Sequence, residues 1–449
     1  MYDLTLFLPC AAGVETLLAE EIAQTLNVPL ERLQTSRGGV QLIGSWRDAL
    51  QLNLHSRLAQ RVLVRLAHQP YRDEQDVYTA AHAVAWEIWL TPRQTFKVDV
   101  TAQHSPLKSL NFAALRVKDA LCDRLRDKRG ERPSVDTARP DVRIFAHLTR
   151  DEVSVYIDTS GEPLFKRGWR EDKGDAPLKE TLAAAMVAAT GWTGWDADGQ
   201  PVPLYDPCCG SGTVVIEAAQ RALNIAPGGQ RRFAFERLLP YQAHVWQTLK
   251  ADAKAAERPV PAQPLVFGSD VAFRMVDFAR RNAERAGVAS AIELRGGDAL
   301  QRLPPTDRPG VMLLNPPYGE RIAAAGVAGQ RAAPRAQAQG LSRGGVRVLH
   351  SDGSPRARET AYLADSGENG DFFAQLASHW KRHYAGWTAW LLTPDFKLPG
   401  KMRFKESRRV PMWNGPIECR LFRFDLVAGS MRGGKPAAGL GQPDADTQD

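Results

Sequence analysis

Long apolar runs are missing from this chain. None approaches the roughly 18 apolar residues that a bilayer-spanning helix needs, and Met1-Tyr2-Asp3-Leu4 lacks the basic start of a secretory leader, so a cytoplasmic protein is expected. Cysteine is scarce. Cys10, Cys122, Cys208, Cys209 and Cys419 show no CxxC spacing and no histidine at metal-ligand intervals, so neither a bound metal nor a disulfide framework is expected. The adjacent Cys208 and Cys209 meet disulfide geometry only with strain and read instead as small residues packing a tight turn. A large excess of one charge is also lacking, since the formal net charge is +7. What is present, 43% hydrophobic and 24% charged residues over 449 positions, suits a globular chain of two or three domains.

The apolar pattern changes twice along the chain. Residues 1–56 read as a small α+β unit, with an alternating strand over 4–8, an amphipathic helix over 14–26 and a strand over 40–42 after Gly38-Gly39. Residues 57–160 alternate strand-like pieces (61–66, 95–101, 143–148, 153–157) with helical ones (77–89, 111–129). No catalytic cluster occurs there, which suggests a substrate-holding module. From Gly161 to 427 strands and helices alternate as in a doubly wound α/β sheet, with strands expected over 203–205, 265–268, 292–295, 311–314 and 388–392. A long helical excursion is expected over 233–257. The segment 322–370 and the tail 428–449 are rich in Ala, Gly, Arg, Gln and Ser, too poor in large apolar groups to offset their ordering entropy, and are expected to be mobile. Near the end, Asn414-Gly415 marks a hairpin, with Pro416 expected to widen the loop or add a bulge.

Chemistry concentrates at two strand ends. The run Asp206-Pro207-Cys208-Cys209-Gly210-Ser211-Gly212-Thr213 is a strand, a glycine turn and a helix start. Gly210 and Gly212 let the backbone approach a ligand, and the following helix directs free N–H groups at it. The order differs from the G-x-G-x-x-G of dinucleotide sites, and an acidic residue opens the turn. This suits S-adenosylmethionine, its carboxylate at the turn and its ammonium facing Asp206. Asp270 is placed to accept from both ribose hydroxyls and Asp298, followed by Ala299, from the adenine amine, although each Asp could equally cap a helix. At Asn315-Pro316-Pro317-Tyr318 the Asn oxygen and the Pro316 carbonyl can accept from an exocyclic amine while Tyr318 stacks on its base. An aromatic amine is a weak nucleophile because its lone pair is delocalised. Two acceptors orient it and oppose the charge that develops on nitrogen, so no separate base is needed before transfer.

Cations suggest what carries that base. Residues 396–409 hold Lys397, Lys401, Arg403, Lys405, Arg408 and Arg409 against Glu406 alone, a patch that could neutralise phosphates. Lys166, Arg167, Arg170 and Arg321 are further candidates for the nucleic-acid backbone, surface solubility being the competing role for each. A base inside folded RNA must be splayed out to react.

These residues resemble the RlmL family of 23S rRNA guanine-N2 methyltransferases with a THUMP domain. The similarity runs from Pro9-Cys10-Ala11-Ala12-Gly13-Val14-Glu15 through Phe165-Lys166-Arg167-Gly168-Trp169-Arg170, Ala176-Pro177-Leu178-Lys179, the glycine turn and Asn315 to Arg321, to Trp413-Asn414-Gly415-Pro416. The resemblance implies an α/β fold: a Rossmann-like class I methyltransferase domain after an α+β ferredoxin-like/THUMP RNA-binding region. It implies that Asp206, Cys208, Gly210, Gly212, Thr213, Asp270, Asp298, Ala299, Pro177 and Lys179 hold S-adenosylmethionine, and that Asn315, Pro316, Pro317 and Tyr318 hold a guanine amine. The implied partner is 23S rRNA or a large-subunit precursor. Some relatives carry a second, RlmK-type domain without a counterpart in this sequence, so only the guanine-N2 activity is expected. The competing readings are a tRNA guanine-N2 enzyme, a DNA adenine-N6 enzyme, a protein glutamine methyltransferase and an inactive RNA-binding assembly factor.

Overall fold

Strand-forming alternation begins at once in β1 (Leu4–Pro9), followed by α1 (Glu15–Leu26), β2 (Gln34–Ser36), β3 (Gly39–Gly44) and α2 (Trp46–His55). The computed structural model describes residues 3–174, 177–316 and 367–427. Helix α2, which the apolar pattern does not signal, starts on a capping box: the Ser45 hydroxyl accepts from the Asp48 amide while the Asp48 carboxylate accepts from the Ser45 amide. Next come β4 (Leu63–Pro70), α3 (Glu74–Ala83), β5 (Phe96–Ala102), α4 (Leu110–Arg129), β6 (Val142–Leu148) and β7 (Glu152–Asp158). The single helix expected over 77–89 is broken. Val84 turns extended, and the Trp86 indole N–H donates to the Ala81 carbonyl at 2.7 Å, satisfying a helix-end acceptor.

All seven of these strands form one sheet in the order β2-β3-β1-β4-β7-β6-β5. Strand β4 pairs with β1 through Leu63 to Arg65 and with β7 along its length, across a bulge between Arg65 and Ala67. The boundary expected at residue 57 therefore lies between two units that share a sheet.

The second half contains α5 (Glu180–Thr190), β8 (Leu204–Asp206), α6 (Thr213–Ala222), α7 (Ala243–Ala255), β9 (Val266–Asp270), α8 (Phe273–Arg285), β10 (Ile292–Gly296) and β11 (Val311–Leu314). It ends with α9 (Gly367–His383), β12 (Thr388–Thr393), α10 (Leu398–Met402), β13 (Arg408–Asn414) and β14 (Ile417–Asp425). The excursion expected as helix over 233–257 is a short 3-10 turn and then α7, separated by Pro240, which disfavours helix in the residue before it. Residues 367–370, the end of the segment expected to be mobile, begin α9; 322–366 and the tail from 428 lie outside the described residues. The hairpin turn is Gly415-Pro416, with Asn414 paired to Ile417 and no register shift, so no bulge forms; Gly415 takes the positive φ of 63° that the tight turn needs.

These strands form the doubly wound sheet that the alternation predicts, in the order β10-β9-β8-β11-β12-β14-β13. Strands β10, β9, β8, β11 and β12 are parallel, and β14 and β13 add an antiparallel edge. The chain runs β8 to β9 to β10 in one direction, then returns to place β11 on the other side of β8. That reversal opens a crevice beyond the carboxyl ends of β8 and β11. One face of the sheet lies under α5, α6 and α8 in an apolar cluster continuous with the first sheet; the other packs Met312, Leu314, Leu391 and Phe422 against Trp380 and Tyr384. Each such buried side chain contributes about 1.5–3 kcal/mol. Among the described residues no helix is long and apolar enough to cross a membrane.

Candidate active site at the carboxyl edge of the second sheet

Four strands deliver the residues singled out by sequence to this edge. Asp206 ends β8, Asp270 ends β9, Asp298 follows β10 by two residues, and Asn315 follows β11 directly. The register pairs Asp206 with Gly268 and Asp270 with Gly296. On the other side of β8, Met312 pairs with Tyr205, which carries Asn315 past the same edge. Asn315 is half-buried and Pro316 buried, while Pro317, Tyr318 and Arg321 lie outside the described residues.

The glycine turn is anchored from its neighbours. The Gly210 amide donates to Asp270 Oδ2 at 2.9 Å, the Cys209 amide to the Ser269 carbonyl at 2.9 Å, and the Gly212 amide to the Cys209 carbonyl at 2.8 Å. Gly210 and Gly212 adopt φ of +53° and +90°, the left-handed region in which a side chain is strained. A Cβ on Gly212 would sit 3.0 Å from that of Ala279 on α8, so glycine also sets the approach of α6 to α8. Buried Asn282 on α8 donates to the Ser211 carbonyl at 3.0 Å; nothing in the sequence pattern marks it as part of the site.

The electrostatics are one-sided. Asp206 is 2% exposed and accepts from the Cys208 amide at 3.0 Å. Burial, with the neighbouring Asp270 charge adding to it, pushes its carboxyl up to about 8 despite that hydrogen bond. Asp270 is raised as well, again by burial, although its other oxygen accepts from the Ala272 amide at 2.9 Å. Asp298 accepts from the Leu300 amide at 2.9 Å, opening a turn that buries Ala299. None of the three carboxylates forms an ion pair among the described residues; the nearby Arg302 guanidinium donates instead to the Gly296 carbonyl at 2.8 Å. Burial and the nearby carboxylates push the Cys208 and Cys209 thiols far up, which keeps both neutral. All five cysteines are free.

The cations are placed less uniformly than their sequence suggests. Arg167, expected on RNA, is 2% exposed; its Nε and Nη2 donate to Glu217 at 3.0 and 3.3 Å. That expectation is corrected, since a guanidinium enclosed with a carboxylate on α6 cannot reach a phosphate. Arg170 pairs with Glu180 at 2.6 Å and donates to the Ser211 and Thr213 hydroxyls at 3.0 and 2.7 Å, bracing the glycine turn from behind. Lys166 is exposed and pairs with Glu162, and Lys405 is exposed. In the patch over 396–409, Lys401 pairs with Asp395 at 3.0 Å and Arg409 with Glu406 at 2.7 Å. Pro177 and Lys179 are exposed at the entry to α5. A further candidate is Phe273, the first residue of α8, 74% exposed with its ring against Gly296 between the ends of β9 and β10. An apolar ring left in water at the carboxyl ends of β9 and β10 suits a planar ligand.

The chain matches three family models in sequence order: an RlmL ferredoxin-like domain over residues 5–63, a THUMP domain over 71–158 and an RMKL-like methyltransferase domain over 167–331. A Synechocystis sp. protein whose name places it among RNA methyltransferases is 32% identical over 94% of this chain and 96% of its own length. The chain belongs to the THUMP-bearing RlmL family of SAM-dependent methyltransferases. A Psychromonas ingrahamii protein named ribosomal RNA large subunit methyltransferase K/L is 34% identical over 94% of this RlmL-family chain, which spans about half (50%) of that relative's length. The solved structure of SMU.472, described as a methyltransferase complexed with SAH, superposes with a TM-score of 0.76 at 25% identity, over 96% of this chain and 100% of that one. The donor fits this edge on one observation: carboxylates without an ion-pair partner among the described residues lie beside the N-terminus of α6, which favours an anion. S-Adenosylmethionine carries both an ammonium and a carboxylate.

Proposed function

We propose that this chain transfers a methyl group from S-adenosylmethionine to the exocyclic N2 amine of a guanine in large-subunit ribosomal RNA. The observation that carries the reading is the adjacency of β8 and β11 at the reversal of strand order, which brings Asn315 and the Asp206 turn to one crevice. When bound, S-adenosylmethionine supplies an electrophilic methyl group on a sulfonium. The Gly210–Gly212 backbone and the first turn of α6 would hold its carboxylate, Asp206 its ammonium, Asp270 its ribose, and Asp298 with Ala299 its adenine. Cys208, Thr213, Pro177 and Lys179 complete the proposed donor wall. Asn315 and the Pro316 carbonyl would accept from the guanine amine, orienting its lone pair at the methyl group, with Tyr318 the proposed stacking partner of the base and Pro317 part of the same guanine-holding motif. The charge developing on nitrogen is opposed by these acceptors, and the proton leaves the product afterwards, when it is more acidic.

Ribosomal RNA is favoured as substrate by the names of the relatives and by the THUMP match in the front half. Lys166, Lys405 and Arg321 are the proposed backbone contacts. The test is to incubate the chain and labelled S-adenosylmethionine with total RNA from a strain lacking it and to map the labelled nucleotide. N2-methylguanine in large-subunit rRNA, absent with Asn315→Ala, is the expected result. Label confined to tRNA would replace the ribosomal assignment, and binding of the donor without transfer to any RNA would favour a non-catalytic role.

A further inference from the structure

The linker after β7, the entry to α5 and the loop after α6 border an open cavity of about 500 Å³ whose wall includes Phe165, Lys166, Arg170, Lys173, Lys179 and Arg232. Two of these cations are matched, Lys166 by Glu162 and Arg170 by Glu180. Lys173, Lys179 and Arg232 form no ion pair among the described residues. Arg231, the remaining cation of the wall, holds the wall together: it donates to the carbonyls of Pro163 at 2.7 Å, Lys166 at 3.0 Å and Ser160 at 3.2 Å. The Lys179 ammonium lies 5.3 Å from the centre of the half-exposed Phe165 ring.

Three unmatched cations around one concave wall repel each other, whereas on a convex surface they would diverge into solvent. Such an arrangement fits a polyanion. An aromatic ring among them adds a face on which an unstacked base can lie. A duplex has no such free base face, so the partner chemistry is a single strand. Position agrees, because Arg170 is shared between this wall and the hydroxyls of Ser211 and Thr213. The cavity is thus one side chain away from the glycine turn, and it follows directly on the last strand of the first sheet.

We propose that this cavity holds a single-stranded stretch of the RNA substrate, with a base against Phe165 and its phosphates on Lys173, Lys179 and Arg232. The proposal rests on the RNA methyltransferase reading above. Pro177 and Lys179, assigned above to the donor wall, also line this cavity, so strand and donor would meet at the entry to α5. The exposed Lys166–Glu162 pair is weak enough to yield its ammonium to a phosphate.

The test uses the full chain with S-adenosylhomocysteine and a short fluorescein-labelled single-stranded RNA, with anisotropy measured across a salt series. The double variant Lys173→Gln/Arg232→Gln should weaken binding by about tenfold and flatten the plot of log affinity against log salt by about 0.7 per lost phosphate contact. Lys173→Arg should retain the slope, and Phe165→Ala should weaken binding without changing it. Melting temperature and S-adenosylhomocysteine affinity of the double variant should match the parent. An unchanged salt slope, a loss of S-adenosylhomocysteine affinity in place of RNA affinity, or equal competition by duplex RNA or inorganic phosphate would each overturn the proposal. Methyl transfer to RNA with an unchanged slope would remove the cavity's role and leave the enzyme. Salt-dependent strand binding without any methyl transfer would remove the enzyme and leave the cavity.

Discussion

Arg167 and Glu217 form a buried, two-pronged ion pair that joins the linker to the helix of the glycine turn. A second guanidinium, Arg57, approaches Glu217 at 3.5 Å from the first half of the chain and donates to the Gln220 carbonyl at 3.1 Å and to that of Ile225. Arg167 closes the triangle by donating to the Arg57 carbonyl at 2.7 Å. One carboxylate thus lies between two enclosed cations and ties the first half of the chain to α6.

Removing that carboxylate should be severe. Glu217→Ala removes the carboxylate that pairs with buried Arg167 and leaves Arg57 with Glu21 as its nearby negative charge, and breaking a buried pair on one side costs about 3–5 kcal/mol. Urea unfolding should show a loss of that order. The double variant Arg167→Met/Glu217→Leu should recover part of it, with Arg57 still facing Glu21. A loss below about 1 kcal/mol would mean that water reaches the cluster.

The two glycines of the turn should respond differently. Gly212→Ala combines a positive φ with a contact to Ala279 and should cost more than the roughly 1–2 kcal/mol of a left-handed residue alone. A Cβ on Gly210 meets nothing within 4 Å, so Gly210→Ala should cost only the backbone preference while weakening S-adenosylhomocysteine binding measured by calorimetry. If Gly210→Ala binds as the parent does, the donor carboxylate lies elsewhere.

Legibility followed sequence distance. The ends of β8, β9 and β11 could be found because each is a largely apolar run closed by a polar residue, and that of β10 because its alternating Ile292 and Leu294 are followed by Gly296-Gly297-Asp298, patterns local to a few positions. Strand order could not be read this way, since the β8–β11 adjacency depends on a crossover of many residues. Arg167 was misplaced because it lies between the cations Lys166 and Arg170, and the carboxylate that buries it is fifty residues away, on α6. Asn282 is a similar case, a polar residue whose place beside the glycine turn is set by Ser211, distant in sequence. By contrast the start of α2 is marked locally, by Ser45 three residues before Asp48.

Phe273 should matter for binding and not for folding. Its side chain is 74% exposed, so truncation removes little buried area and Phe273→Ala should leave the melting temperature nearly unchanged. If the ring stacks on the donor's adenine, the variant should bind S-adenosylhomocysteine about tenfold more weakly, in line with the roughly 1–3 kcal/mol of a base–aromatic stack. Unaltered affinity would remove the ring from the site.

Asp206 should make donor binding depend on pH. Its carboxyl rises to about 8 in the ligand-free fold, above an unfolded value near 3.9, so the folded chain holds a proton that the unfolded chain has lost. Ligand-free stability from this group therefore falls as pH climbs from the unfolded value, and the penalty is complete above about 8. An ammonium beside Asp206 favours the ionised form and lowers that value, so binding should release a proton. S-Adenosylhomocysteine affinity should accordingly increase from pH 6 to about 8 and then level off, and calorimetry in buffers of different ionisation enthalpy should record the released proton. Asp206→Asn should flatten the profile. Proton uptake in place of release, in the parent chain alone, would show that the ammonium does not meet Asp206, whether or not the variant folds.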